Sequence, residues 1–91
     1  MDMKISNNQS AGRFEIRDEK CTALLDYELT DNQMILVHTE VPKELEGDGL
    51  GVKLVKFALE YAKQHNLVVI AQCEFAQSYI ERHKEYSSKR L

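Results

Sequence analysis

The chain has 91 residues, a net charge of −3 and a hydrophobic fraction of 43%. That length makes one domain, residues 1–91, at the small end of what folds alone. The acidic balance argues against nucleic-acid binding, and two cysteines are too few for a disulfide scaffold and match no zinc pattern, so no metal is expected.

Residues 1–11 read as a frayed segment, with the polar cluster Asn7-Asn8-Gln9-Ser10. Arg13-Phe14-Glu15-Ile16-Arg17 alternates polar and apolar, the pattern of a short half-buried strand. Asp18-Glu19 is the expected turn. Ala23, Leu25, Tyr27 and Leu29 then share one face of a second strand, with Leu24 as an exception. Thr30 to Gln33 forms a hairpin loop, and Met34 to Val41 a third strand that is apolar on both faces, as expected near a sheet centre. Pro42 ends it. From Leu50 the period changes: Gly51, Leu54, Val55, Ala58 and Ala62 lie at helical spacing as one buried stripe, and His65-Asn66 closes the helix. Leu67 to Ala71 is a continuous apolar run, the pattern of a buried parallel strand. Glu74 to Lys84 predicts a last helix, and residues 87–91 a loose tail. The fold class is α/β (α+β): an antiparallel three-strand meander, a right-handed crossover helix, a parallel fourth strand and a C-terminal helix.

The most informative segment is Gly47-Asp48-Gly49-Leu50-Gly51, set between the third strand and the helix. Strand, glycine turn and helix together present bare backbone N–H groups at a helix N-terminus, where the macrodipole also favours an anion. A phosphate-bearing cofactor is therefore expected there. The spacing is neither a Rossmann fingerprint nor a P-loop, since Gly51 is followed by Val52-Lys53-Leu54. Charge is segregated about this turn: residues 1–48 carry a balance of −6 and residues 49–91 one of +3. The second half suits an anionic ligand and the first a cationic one, unless the division is chance. The polar N-terminus and the lack of a long apolar run predict no membrane association and a cytoplasmic location.

On His38-Thr39-Glu40-Val41-Pro42, the turn Glu46-Gly47-Asp48-Gly49-Leu50-Gly51, and Cys73-Glu74-Phe75 leading to Tyr79, the chain resembles the GNAT superfamily of acetyl-CoA-dependent N-acetyltransferases. It is most similar to that family's small single-domain branch. The match spans His38 to Tyr86, and the meander before it agrees. Glu46 stands where the family's cofactor loop usually has Gln or Arg, and a carboxylate there repels a pyrophosphate. Full-size members also carry extra N-terminal helices and C-terminal strands, for which this chain is too short.

The resemblance implies acetyl-CoA (CoA) as cofactor, bound by Val41, Gly47, Asp48, Gly49, Leu50 and Gly51, and an amine-bearing acceptor, in a monomer or weak homodimer. It implies two strands that splay around the cofactor; His38 and Cys73 end the two strands joined by the crossover, a topology that itself predicts them side by side at the carboxyl ends. Cys73 is then either a nucleophile with His38 as its base, or a bystander to direct transfer in which His38 or Glu40 takes the acceptor's proton. A backbone N–H near Thr39-Glu40-Val41 would stabilise the oxyanion, and Tyr79 would protonate the leaving thiolate. Each side chain also has a plain structural reading: Cys73 and Tyr79 as core residues, His38 as a satisfied buried histidine. The expected function is N-acetyl transfer; the alternative is a non-catalytic CoA-binding or protein-interaction module on the same fold.

Overall fold

The computed structural model describes residues 4–17, 21–45, 47 and 49–82. A five-stranded sheet runs in sequence order: β1 (Ile5–Asn8), β2 (Arg13–Arg17), β3 (Thr22–Leu29), β4 (Gln33–Glu40) and β5 (Val68–Ala71). The first four are antiparallel, and β5 is parallel to β4. Helix α1 (Leu50–Gln64) connects β4 to β5, and α2 (Glu74–Arg82) follows β5.

Alternation along the strands decides which face is buried. Phe14 and Ile16 of β2, Ala23, Leu25 and Tyr27 of β3, and Met34 and Leu36 of β4 are cross-strand neighbours on one face. They form a single core cluster with Leu54, Val55, Ala58 and Ala62 of α1 and Ala76, Tyr79 and Ile80 of α2. Burying each large aliphatic side chain contributes about 1.5–3 kcal/mol. The opposite face carries Arg13, Asp26 and His38 in one cross-strand row and Glu15, Leu24 and Glu40 in the next. Leu24, the exception to the alternation, is thus an ordinary residue of this second face.

Two expectations change. Ile5–Asn8, read as frayed, is a strand paired with β2 from Ile5↔Ile16 to Asn8↔Arg13. Asn7 lies on the core face and accepts a hydrogen bond from the Tyr27 hydroxyl, so a polar residue does the work usually done by an apolar one. The run Leu67–Ala71 is parallel as expected but forms the edge of the sheet, and Ile70 on its outer face is 37% exposed. The expected turn at Asp18-Glu19, the end of the expected last helix at residues 83 and 84, and the tail from 87 to 91 lie outside the described residues.

Helix α1 ends where the sequence indicates. Asn66 takes a left-handed φ of 58°, its N–H donates to Lys63 O at 3.3 Å, and Leu67 N–H donates to Ala62 O at 2.8 Å. This Schellman pairing satisfies the last carbonyls and turns the chain into β5.

Candidate functional site

The site begins with one extra residue in β4. Asp26 of β3 faces His38, but the next pair is Tyr27 with Leu36, so Val37 has no partner on β3. Such a bulge bends its strand and reverses the side-chain alternation beyond it. The ladder from β4 to β5 stops at the same place, with Leu36↔Ala71 as its last pair. Gln72 N–H and Cys73 N–H then both donate to Leu36 O, at 2.9 and 3.2 Å. Beyond this fork β4 and β5 are not paired, and the sheet opens.

Thr39 and Val41, beyond the last pair, line a cleft of about 500 Å³ together with Leu45, Gly47, Gly49, Leu50, Gly51, Val52 and Phe75. Its described lining holds no charged side chain. One wall is the start of α1. Gly49 is the residue before the first helical turn, with φ 71° and ψ 24°, and no side chain caps the helix. The first-turn N–H groups therefore have no side-chain acceptor of their own, and no acidic residue lies in that turn. A Cβ added to Gly47 or Gly49 would meet nothing within 4 Å. Their left-handed φ values explain the glycines, and the bare backbone faces open space.

Gly51 has a different reason. A Cβ there would fall within 2.7 Å of Phe75 Cζ. The glycine lets Phe75 of α2 lie against α1.

The catalytic candidates divide between the two faces. His38 and Glu40 point away from the core, 57% and 63% exposed, with His38 Nε2 3.4 Å from Glu40 Oε1. Cys73 packs against the core, and its Sγ lies 3.3 Å from Thr39 Oγ1. The expected side-by-side arrangement of His38 and Cys73 is therefore absent: the bulge carries His38 to the other face and turns Thr39 toward the cleft. Tyr79 is 4% exposed within the core cluster and does not line the cleft. Val41, Gly47, Gly49, Leu50 and Gly51 all line it, while Asp48 and Glu46 lie outside the described residues. The Thr39 side chain is the functional candidate that sequence reasoning missed. Among the described residues, no group of three or more His, Cys, Asp or Glu side chains is placed to hold a metal, and no helix is long and apolar enough to cross a membrane.

Residues 13–89 match the sequence profile of the GCN5-related N-acetyl-transferases. The chain belongs to this family. It is similar in structure to a GCN5-like N-acetyltransferase candidate from Staphylococcus aureus, with a TM-score of 0.76 and 34% identity over 98% of this chain and 88% of that one. It is also similar to protein NATD1 of mouse and of human, each 28% identical over 82 residues. Those matches span 87% of this chain and 74% and 73% of the two relatives. The mixed sheet, connecting helix and C-terminal helix are thus the GNAT fold in a small form.

Proposed function

We propose that this GNAT-family chain binds acetyl-CoA in the glycine-lined cleft and transfers its acetyl group to an amine. One observation carries the reading: the cleft at the α1 N-terminus is also lined by Thr39 and Val41, which lie beyond the last β4–β5 pair. The residues fit the group. Open space before Gly47 and Gly49 lets phosphate oxygens reach backbone N–H donors, and the uncharged walls from Leu45, Val41 and Phe75 suit an aliphatic amide arm. The backbone of β4 beyond Leu36 has no strand partner on the β5 side among the described residues, so its polar groups are available to that arm.

Bound acetyl-CoA supplies an activated thioester. The chain's own residues do the rest. Backbone N–H groups of the glycine turn hold the phosphates, and backbone N–H groups near Thr39-Glu40-Val41 stabilise developing negative charge on oxygen. The acceptor approaches from the helix-free face, where the His38–Glu40 pair takes the proton from its nitrogen. Direct transfer is favoured over an acetyl-Cys73 route, because Cys73 touches a neutral hydroxyl and not an imidazole. The same observation supports a second reading, a CoA-binding module without turnover, since His38 pairs with Glu40 and Cys73 with Thr39 and not with one another.

Calorimetric titration with acetyl-CoA, CoA and ATP, followed by thiol release across amines and peptides, separates these readings. CoA and acetyl-CoA should bind and ATP should not. Gly49→Val should weaken CoA binding by filling the open space before the helix. No heat with CoA overturns the cofactor reading; binding without thiol release for any amine selects the module.

A further inference from the structure

The geometry points to the Thr39–Cys73 pair as the element that limits the acyl group of the donor thioester to a short chain. The inference rests on the reading of the cleft as a CoA site and goes beyond it, since it concerns which thioester is accepted.

Three observations meet at this pair. First, the β4–β5 ladder ends at Leu36↔Ala71, and both following N–H groups converge on Leu36 O, so backbone closes the gap behind that point. Second, the bulge at Val37 turns Thr39, and not His38 or Glu40, toward the cleft. Third, Thr39 Oγ1 and Cys73 Sγ are 3.3 Å apart, one side chain from β4 and the other from the short connection between β5 and α2. The two strands have separated as backbones, but these side chains bridge them. A ligand with its phosphates at Gly49 and its thioester in the gap meets Thr39 and Cys73 at the far end, with the Leu36 fork behind them.

The bridge restricts by volume and by polarity. Thr39 is β-branched, and its χ1 is stiff. Its hydroxyl and the thiol satisfy one another, so an inserted alkyl chain must separate them and leave both without a partner. An acetyl group ends before this penalty is incurred; each further methylene pushes into the bridge. A methylene that does not fit a shaped pocket changes selectivity by roughly 10-fold or more.

The test uses the whole chain and binding alone, so it needs no acceptor. Affinities for CoA, acetyl-CoA, propionyl-CoA and butyryl-CoA are measured by calorimetry for wild type, Thr39→Ala, Thr39→Val and Cys73→Ala. Each acyl-CoA affinity is divided by the CoA affinity of the same variant, so a general loss of binding cancels. Wild type should discriminate against butyryl-CoA relative to acetyl-CoA by about 10-fold or more. Thr39→Ala and Cys73→Ala should each collapse that ratio to within about 3-fold, against the 10-fold standard of a misfit methylene. Thr39→Val keeps the volume and loses the hydroxyl, and should retain most of the discrimination. Should one truncation fail to fold, the other opens the same end from the other side of the gap. An unchanged ratio in a folded truncation that still binds CoA overturns the inference and leaves the cofactor reading standing. No binding of CoA by wild type overturns both.

Discussion

Gly51→Ala adds one methyl group to the second residue of α1, and its effect follows from two opposed contributions. The new Cβ falls within 2.7 Å of Phe75 Cζ, closer than real carbon contacts. Gly51 is itself buried, so the methyl group is confined and the ring must rotate away. Phe75 packs partly against the core and lines the cleft, so rotating it sacrifices contacts on both sides. Overpacking of this kind costs about 1–3 kcal/mol. Against it stands the helix preference of alanine over glycine, at most about 1 kcal/mol. The clash wins, giving a net loss of about 0.5–2 kcal/mol. For a chain of this length, each kcal/mol lowers Tm by about 4–8 °C.

A double-mutant cycle with Phe75→Ala isolates the cause. Without the ring the three atoms nearest the new methyl group are gone, and Gly51→Ala should become stabilising by up to about 1 kcal/mol. The coupling energy between the two positions should then be about 1–3 kcal/mol. Urea unfolding of the four proteins by far-ultraviolet circular dichroism measures it, with equal m-values as the condition for comparison. If Gly51→Ala has the same effect with and without the ring, the glycine is not there for Phe75 and the reasoning fails.

Other expectations come from the helix-free face, the core and the site. Glu15 is 5% exposed, accepts from Arg17 Nε and Nη2 at 3.3 Å and from Asn8 Nδ2 at 3.2 Å, and has Arg13 Nη1 at 3.9 Å. Arg13 Nε lies 3.3 Å from Asp26 Oδ1 but makes no hydrogen bond, so Glu15 is the hub of this cluster. Glu15→Ala should cost about 1–3 kcal/mol in urea unfolding, and a neutral result would show the cluster to be ornamental. Burial, then repulsion from Tyr61, pushes the Tyr27 phenol above its usual value. The unfolded phenol thus ionises first, so this contribution to stability is complete below about pH 10 and is lost as pH rises through the folded value. Tyr27→Phe should flatten the fall in Tm between about pH 9 and 11, and an unchanged slope would assign it to other groups. Incubation with acetyl-CoA alone should leave Cys73 unmodified in the intact mass, because Thr39 and not His38 is its neighbour. An adduct of about 42 Da that decays at the turnover rate would restore the covalent route.

The helices were legible because their periodicity is unambiguous. The stripe Gly51, Leu54, Val55, Ala58 and Ala62 is buried as the spacing requires, and α1 ends at His65 and Asn66. The glycine turn was legible as a backbone feature, since positive φ at Gly47 and Gly49 and an uncapped helix need no knowledge of tertiary contacts. What stayed hidden depended on partners distant in sequence. Ile5–Asn8 has too few apolar residues to signal a strand, and Asn7 belongs to the core face only because Tyr27 meets it there. Phe75 explains Gly51 only once α2 is folded back beside α1.

The bulge at Val37 was hidden for a subtler reason, and its trace is present in the residues. Met34-Ile35-Leu36-Val37 is apolar at every position, so hydropathy cannot show where the alternation changes phase. In an unbroken strand His38 and Glu40 would share the core face with Met34 and Leu36, and Thr39 would face solvent. Placing two ionisable side chains against that core costs far more than placing one hydroxyl there. The observed register does the reverse: His38 and Glu40 are exposed, and Thr39 is half-buried with Cys73 as partner. The polar residues after Val37 thus demand the opposite phase from the apolar residues before it, and one inserted residue reconciles them. The bulge that relieves this conflict also bends β4 where its pairing with β5 stops. The same local demand that keeps His38 and Glu40 in solvent therefore opens the sheet, and it leaves them on one side of the gap with Thr39 and Cys73 on the other.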